Sequence, residues 1–216
     1  MLKINDAGVV SRPLRKDAER NRARVLDAAR TLFAESGLNA PLDEIARRAG
    51  VSAGTVYHRF GDRDHLIDEA LLPLVVESVE HARMSLSDPD PWHGLVTHLF
   101  ALAKWQSEDR AFTDICVLSL PDDFAIEAAK REGHSLTEKL VSRAQRSGQL
   151  RADVTLGDIG LLVSGTVKAT EPIRSEQPDA WRRHLQIVID GLRVEAASAL
   201  PGTPPAPADV AAAMQR

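Results

Sequence analysis

The sequence contains a single cysteine, Cys116, among its 216 residues. An internal disulfide is therefore impossible, and a zinc site built on clustered thiolates is excluded. Nowhere does an apolar run approach the roughly 20 residues that a membrane-spanning helix needs. The opening Met1-Leu2-Lys3-Ile4-Asn5-Asp6 lacks an apolar block of signal-peptide length, so no membrane partner and a cytoplasmic location are expected. Period-two alternation is missing as well, which argues against strands. No Gly-rich phosphate loop, paired-carboxylate site or Ser-His-Asp ordering is found, leaving catalysis without a foothold. Metal ligation is poorly served: His93 and His98 would sit about 140° apart around a helix, and Glu77 with His81 lacks a third ligand. The reading is of a non-enzyme without metal or cofactor.

The composition is that of a globular protein, 44% hydrophobic and 27% charged, with enough apolar residues for a core. Its net charge of -4 is unevenly divided. Residues 1–65 hold 12 Lys+Arg against 9 Asp+Glu, and residues 66–216 hold 15 against 22. Between Ser11 and Arg24, Arg12, Arg15, Lys16, Arg20, Arg22 and Arg24 face only Asp17 and Glu19. A basic front on an acidic body suggests a localised contact with a polyanion.

Apolar residues recur at helical spacing along most of the chain, and an all-α fold of nine helices is expected. The first runs from Arg20 to Ser36 and is stopped by Gly37, the second from Leu42 to Ala49 behind Pro41, and the third to about Phe60 behind a Ser52 cap. A fourth starts near Asp62 and contains Pro73, which removes a backbone hydrogen bond and favours a kink. Asp122 or Asp123 is expected to cap the long helix that ends near Gln145. The last two helices are read as Asp158 to Thr170 and Asp179 to Ala199.

The stretch from Leu42 to Phe60 has the parts of a helix-turn-helix. Ile45 and Ala46 face a core, Ala49 permits close helix crossing, Gly50 makes the turn, and Val51 and Val56 pack beneath the second helix. A recognition helix must present short or hydrogen-bonding residues at its N-terminal end, where it enters the major groove. Here those are Ser52, Ala53, Gly54 and Thr55, with His58 one turn on. Arg47 and Arg48 either reach phosphates or merely solvate the second helix, and Arg12, Arg15 and Lys16 either touch DNA or form a solubilising tail.

With Ala29-Arg-Thr-Leu-Phe-Ala-Glu-Ser-Gly37, Asp43-Glu-Ile-Ala46, Ala49-Gly-Val-Ser52, Gly54-Thr55, Tyr57, Phe60, Arg63 and Leu66, residues 20–70 closely resemble the TetR (tetracycline-repressor) family of bacterial transcriptional regulators. Gly148-Gln-Leu-Arg-Ala-Asp-Val-Thr155 is similar to the family's actinobacterial-type branch. The resemblance implies a homodimer whose three N-terminal helices form a DNA-binding domain and whose C-terminal helical bundle serves ligand binding and dimerisation. Thr55, Tyr57 and His58 match positions that touch phosphates or bases, Arg59 fills a variable slot suited to a phosphate, and Arg63 replaces a common lysine. Pro41 stands where a threonine often caps the second helix. The expected function is that of a ligand-released repressor on a near-palindromic double-stranded operator. The DNA-binding set is Arg47, Ser52, Ala53, Gly54, Thr55, Tyr57, His58, Arg59 and Arg63.

Four segments follow: a disordered basic arm (1–18), a helix-turn-helix domain (19–65), an effector-binding and dimerisation domain (66–200) and a disordered tail (201–216). The small residues Gly160, Ser164 and Gly165 and the stripe Trp181, Leu185, Val188, Ile189 and Leu192 are expected to pack against a second copy as a four-helix bundle. An effector cavity could draw on Trp105, Phe112, Cys116, Leu120, Phe124, Leu162 and Thr166, with His98 or Lys104 as polar handles, but each fits an ordinary core or surface position better, so none is assigned to a site.

Overall fold

The computed structural model describes residues 11–206, and of residues 11–16 the backbone only. Residues 1–10 of the expected arm and 207–216 of the expected tail lie outside the described residues. Among those described there are nine α-helices and no strand: α1 Ser11–Ser36, α2 Leu42–Ala49, α3 Ala53–Phe60, α4 Arg63–Leu86, α5 Pro91–Glu108, α6 Arg110–Val117, α7 Ala125–Arg146, α8 Leu156–Thr170 and α9 Ala180–Gly191.

The boundaries of α2 and α3 follow from local chemistry. Pro41 holds φ -65° at the N-cap of α2, and Gly50 closes it in the left-handed conformation at φ 66°. Ser52 caps α3, its Oγ accepting the Thr55 amide. Gly61 then takes φ 80°, and Asp62 opens α4 by accepting the His65 amide. α4 passes through the exposed Pro73 as one helix.

Helix α1 starts earlier than apolar periodicity suggested. Residues 11–18, expected in the arm, are helical: Arg12, Leu14, Arg15, Lys16 and Ala18 are good helix formers, and Pro13 falls in the first turn, where its missing N–H breaks no helical bond. α7 also begins differently. Neither Asp122 nor Asp123 caps it; Phe124 stands at the N-cap, and the Ile126 amide instead donates to Asp68 of α4 at 2.7 Å. α9 stops at Gly191, well short of Ala199, because the chain turns back there. The Arg151 amide donates to the Leu192 carbonyl and the Val194 amide to the Gln149 carbonyl, forming a short bridge that a continuing helix would forbid. Pro205, expected in the disordered tail, lies against the start of α8, its carbonyl where a side chain at Gly157 would lie.

Two large hydrophobic clusters, with a small third one of Val79, Ala82 and Leu136, make the core. One joins Val25, Phe33, Ile45, Val56 and Phe60 of the first three helices to Leu66, Leu71 and Val75 of α4, Ile115 of α6 and Ile126 of α7. Packing therefore continues without a break across the 65/66 boundary. The second cluster gathers Leu95 and Leu99 of α5, Leu140 of α7, Val163 of α8, and Trp181, Leu185 and Ile189 of α9. The α9 stripe expected at a dimer interface is thus mostly spent inside the chain: Leu185 and Ile189 are each 1% exposed. An apolar period shows that a face is buried and not by what. α5 meets the end of α4 so closely that a Cβ at Gly94 would lie 2.4 Å from the Ser85 carbonyl oxygen.

Candidate nucleic-acid interface

Helix α3 is anchored from below by Val56 and Phe60, four residues apart and both buried. With about 100° per residue, Gly54, Tyr57 and His58 then fall together on the opposite side, and all three are exposed. Tyr57 is 52% exposed, so its ring and hydroxyl are open to a partner. Apart from its chain neighbours and the backbone of its own helix, nothing would come closer than 3.9 Å to a Cβ at Gly54, so the backbone there is open to a large rigid partner. Arg59 flanks this strip and is exposed as well.

Other expected site residues have structural duties. The Ser52 and Thr55 hydroxyls lie 2.8 Å apart while Ser52 caps the helix, so this pair sets the first turn of α3. Ala53 is half-buried beside them. Arg47 is exposed on α2 with Nε donating to Glu44 at 2.7 Å; that hydrogen bond raises the arginine and lowers the glutamate pKa. Such an exposed pair is worth little and opens readily to a phosphate. Arg48 pairs with Glu35 at 3.1 Å.

Arg63 departs most from expectation. It is half-buried, and its Nη1 donates to the Leu38 carbonyl at 2.6 Å and the Ala40 carbonyl at 2.9 Å. This guanidinium ties the α1–α2 loop to the start of α4, a use that suits the donor fork of arginine. On the other side of the same loop, the Leu38 amide donates to Asp114 of α6 at 2.8 Å. Gly37, at φ 79°, leaves room for that carboxylate, which would lie 2.5 Å from a Cβ. Asp114 carries no local sequence signal, since its partner is 76 residues away.

The sequence model for bacterial regulatory proteins of the tetR family matches residues 25–70, and that for the SbtR-like transcriptional regulator C-terminal domain matches residues 90–194. A TetR transcription regulatory protein from Mycobacterium vanbaalenii is 34% identical, with 84% of this chain and 100% of that one aligned at a TM-score of 0.51. The chain belongs to the TetR family. A TetR transcriptional regulator from Streptomyces coelicolor is 26% identical over 80% of this chain and 98% of its own, with a TM-score of 0.54. The HTH-type transcriptional repressor KstR2 of Rhodococcus jostii is 45% identical over 51 residues, which span 23% of this chain and 25% of that repressor. This chain is thus a DNA-binding transcriptional regulator with an N-terminal helix-turn-helix and a C-terminal helical domain, not an enzyme.

Beyond the head of this TetR-family regulator lies a cavity of about 190 Å³ between α4, α5, α6, α7 and α8. Its walls are mainly apolar, and His98, Gln106, Thr137 and Lys130 supply polar atoms. Of the residues considered for such a cavity, His98, Phe112 and Cys116 line it; Trp105, Leu120, Phe124, Leu162, Thr166 and Lys104 do not. Burial pushes the Cys116 thiol up to about 12, so it stays protonated. Trp105 stands behind the wall, its ring centroid 5.5 Å from that of Phe112. No helix among the described residues is long and apolar enough to cross a membrane.

Proposed function

We propose that this regulator is a ligand-released repressor that binds a near-palindromic operator as a homodimer. The observation that carries the reading is the strip of Gly54, Tyr57 and His58: it stands exposed on a capped, well-anchored helix. Tyr57, His58, Arg59 and the Gly54 backbone meet the DNA, Arg47 leaves Glu44 for a phosphate, and the Ser52–Thr55 pair presents hydroxyls at the helix N-terminus. Ala53 fits against the groove edge. Arg63 acts by holding the head in shape.

The dimer forms through the outer faces of α8 and α9. After the internal core has taken its share, Leu161 (43% exposed) and Ile187 (58% exposed) still face outwards, beside Gly165 and the half-buried Val188. Small residues allow close helix approach, and a two-fold axis there sets two α3 helices on one DNA face, with half-sites a turn or more apart.

A ligand releases DNA only if it binds the released conformation more tightly. The connection runs through α4 and α6, which form walls of the cavity and also touch the head. Asp114→Asn, which weakens the bond to the Leu38 amide, should therefore lower ligand-induced DNA release several-fold while leaving ligand affinity unchanged. Unaltered release would remove α6 from the mechanism.

The decisive test is binding of the purified chain to its own upstream intergenic DNA and to a random duplex across a salt series. Tight binding by one or more dimers, with strong preference for the upstream DNA, is expected. Weak binding, equal on both duplexes and lost with salt, would refute the reading.

A further inference from the structure

His98 sits in the wall of the cavity, 2% exposed, and its ring contains an unused atom. Nε2 lies 2.9 Å from Thr137 Oγ1. That hydroxyl is also 2.9 Å from the Gly133 carbonyl oxygen, which can only accept. The one hydroxyl proton points to the carbonyl, so the histidine must donate from Nε2. Burial, with the neighbouring His81, lowers the His98 pKa to about 4, so at neutral pH Nδ1 carries a lone pair and no proton. Nδ1 is buried without a hydrogen-bond partner, and so is Oε1 of Gln106 on the same helix α5. A buried acceptor left unpaired costs on the order of 1–3 kcal/mol. Both side chains line the cavity, and a small rotation of either turns its covered, unpaired acceptor towards a donor on a bound molecule.

The charge of the cavity is already spent. Lys130 is the lining side chain that carries full charge; its Nζ donates to the Leu118 carbonyl and lies 2.9 Å from Glu127, both side chains being largely buried. An anionic ligand would have to break that pair. Size sets a further limit, because an apolar protein cavity of about 150 Å³ accommodates one benzene. The space here, about 190 Å³, takes one ring with a short alkyl group.

We infer that the effector is an uncharged, mainly apolar molecule of single-ring size that carries a hydroxyl and donates it to Nδ1 of His98, with Oε1 of Gln106 as the second acceptor. This rests on the ligand-responsive reading above. His98 and Gln106 thus set ligand specificity: a hydroxyl satisfies them, while an ether or a carboxylate brings only further acceptors.

The test is calorimetric titration of the full chain at pH 7.5 with 4-ethylphenol, 4-ethylanisole, ethylbenzene and 4-ethylbenzoate. The phenol should bind at least tenfold more tightly than the other three. His98→Leu should reduce its preference over ethylbenzene about tenfold, with ethylbenzene binding retained. Gln106→Met should lower the same preference, and it carries the test alone if His98→Leu does not fold. Equal binding of phenol and anisole, tighter binding of the benzoate, no saturable binding of any probe, or a preference untouched by the variants would each overturn the inference. Upstream-duplex binding is measured on the same preparation. A chain that binds the duplex without preferring the phenol keeps its regulator role and loses this ligand class; phenol preference without duplex binding gives the reverse.

Discussion

Replacing Arg63 with Met separates two roles for this position, because it removes the donors while keeping most of the apolar stem. A phosphate-contacting arginine and a loop-tethering one predict different losses. Two carbonyls, of Leu38 and Ala40, accept from the guanidinium at 2.6 and 2.9 Å. A hydrogen bond from a charged donor contributes about 1.5–3 kcal/mol when enclosed. Arg63 is half-buried, and water can reach the loop once the side chain is gone, so the two together are worth about 2 kcal/mol. For a chain of this length each kcal/mol moves the melting temperature by about 2–4 °C, giving a fall of roughly 4–8 °C. Thermal unfolding followed by circular dichroism reads this directly, and a fluorescence-anisotropy salt series on operator DNA reads the other role. Loss of one phosphate contact lowers the slope of log affinity against log salt by about 0.9. A tether predicts a lower melting temperature with the slope nearly unchanged. An unchanged melting temperature with a slope reduced by about one would refute the tether.

Three further outcomes are expected. Tyr57→Ala should weaken operator binding about tenfold or more with little change in melting temperature, since its ring is 52% exposed; equal affinity in anisotropy titrations would remove Tyr57 from the interface. Gly94→Ala drives a methyl to 2.4 Å from the Ser85 carbonyl and should destabilise the chain by about 1–3 kcal/mol, measured by urea unfolding; a gain in stability would mean that α5 shifts freely on α4. His98 has its folded pKa lowered from 6.5 to about 4, so protons favour the unfolded chain: its contribution is complete above pH 6.5 and is lost as pH falls towards 4. The loss amounts to about 3 kcal/mol, and burial of His81 and His134 acts in the same direction. His98→Leu should therefore show a smaller drop in melting temperature between pH 7 and pH 4.5 than the parent chain, and an identical drop would contradict this account.

What the sequence made legible was whatever depends on neighbours in the chain. Helices α2 and α3 begin and end where Pro41, Gly50, Ser52 and Gly61 dictate, since a cap or a positive φ is a property of a few residues. The exposed strip on α3 was legible for the same reason: once Val56 and Phe60 are placed in the core, helical geometry puts Gly54, Tyr57 and His58 outside. Contacts across long separations were not. Asp68 caps α7 from 58 residues away and Arg63 reaches back 25 and 23 residues, and no local pattern marks either. The α9 stripe was misassigned because Trp181, Leu185 and Ile189 have one helical period whether they face their own chain or a second copy. The cavity was only half visible. His98, Phe112 and Cys116 line it, but Phe124 packs with the head-side cluster instead, against His65 at 4.9 Å between ring centroids.

The loop from Gly37 to Ala40 is where these long-range contacts converge. Leu38 is held on both sides of its Cα, its N–H by Asp114 of α6 and its C=O by Arg63 of α4. α6 also lines the cavity through Phe112, Ile115 and Cys116, and α4 does so through Val75, Ser78, Val79 and Ala82. Any ligand that alters the spacing of α4 and α6 therefore pulls on one residue from two sides. That residue lies in the loop joining α1 to α2, the helix that supports the recognition helix. Packed interiors of this density do not deform smoothly but switch between discrete arrangements. A change at the cavity of well under an ångström can in this way be passed to the head as a rotation. The proline at position 73 assists, since the carbonyl of Glu69 lacks its helical donor while the Glu69 side chain pairs with Arg22 of α1. The softest point of α4 thus lies beside its ionic tie to α1, between the cavity walls and the DNA-facing helices.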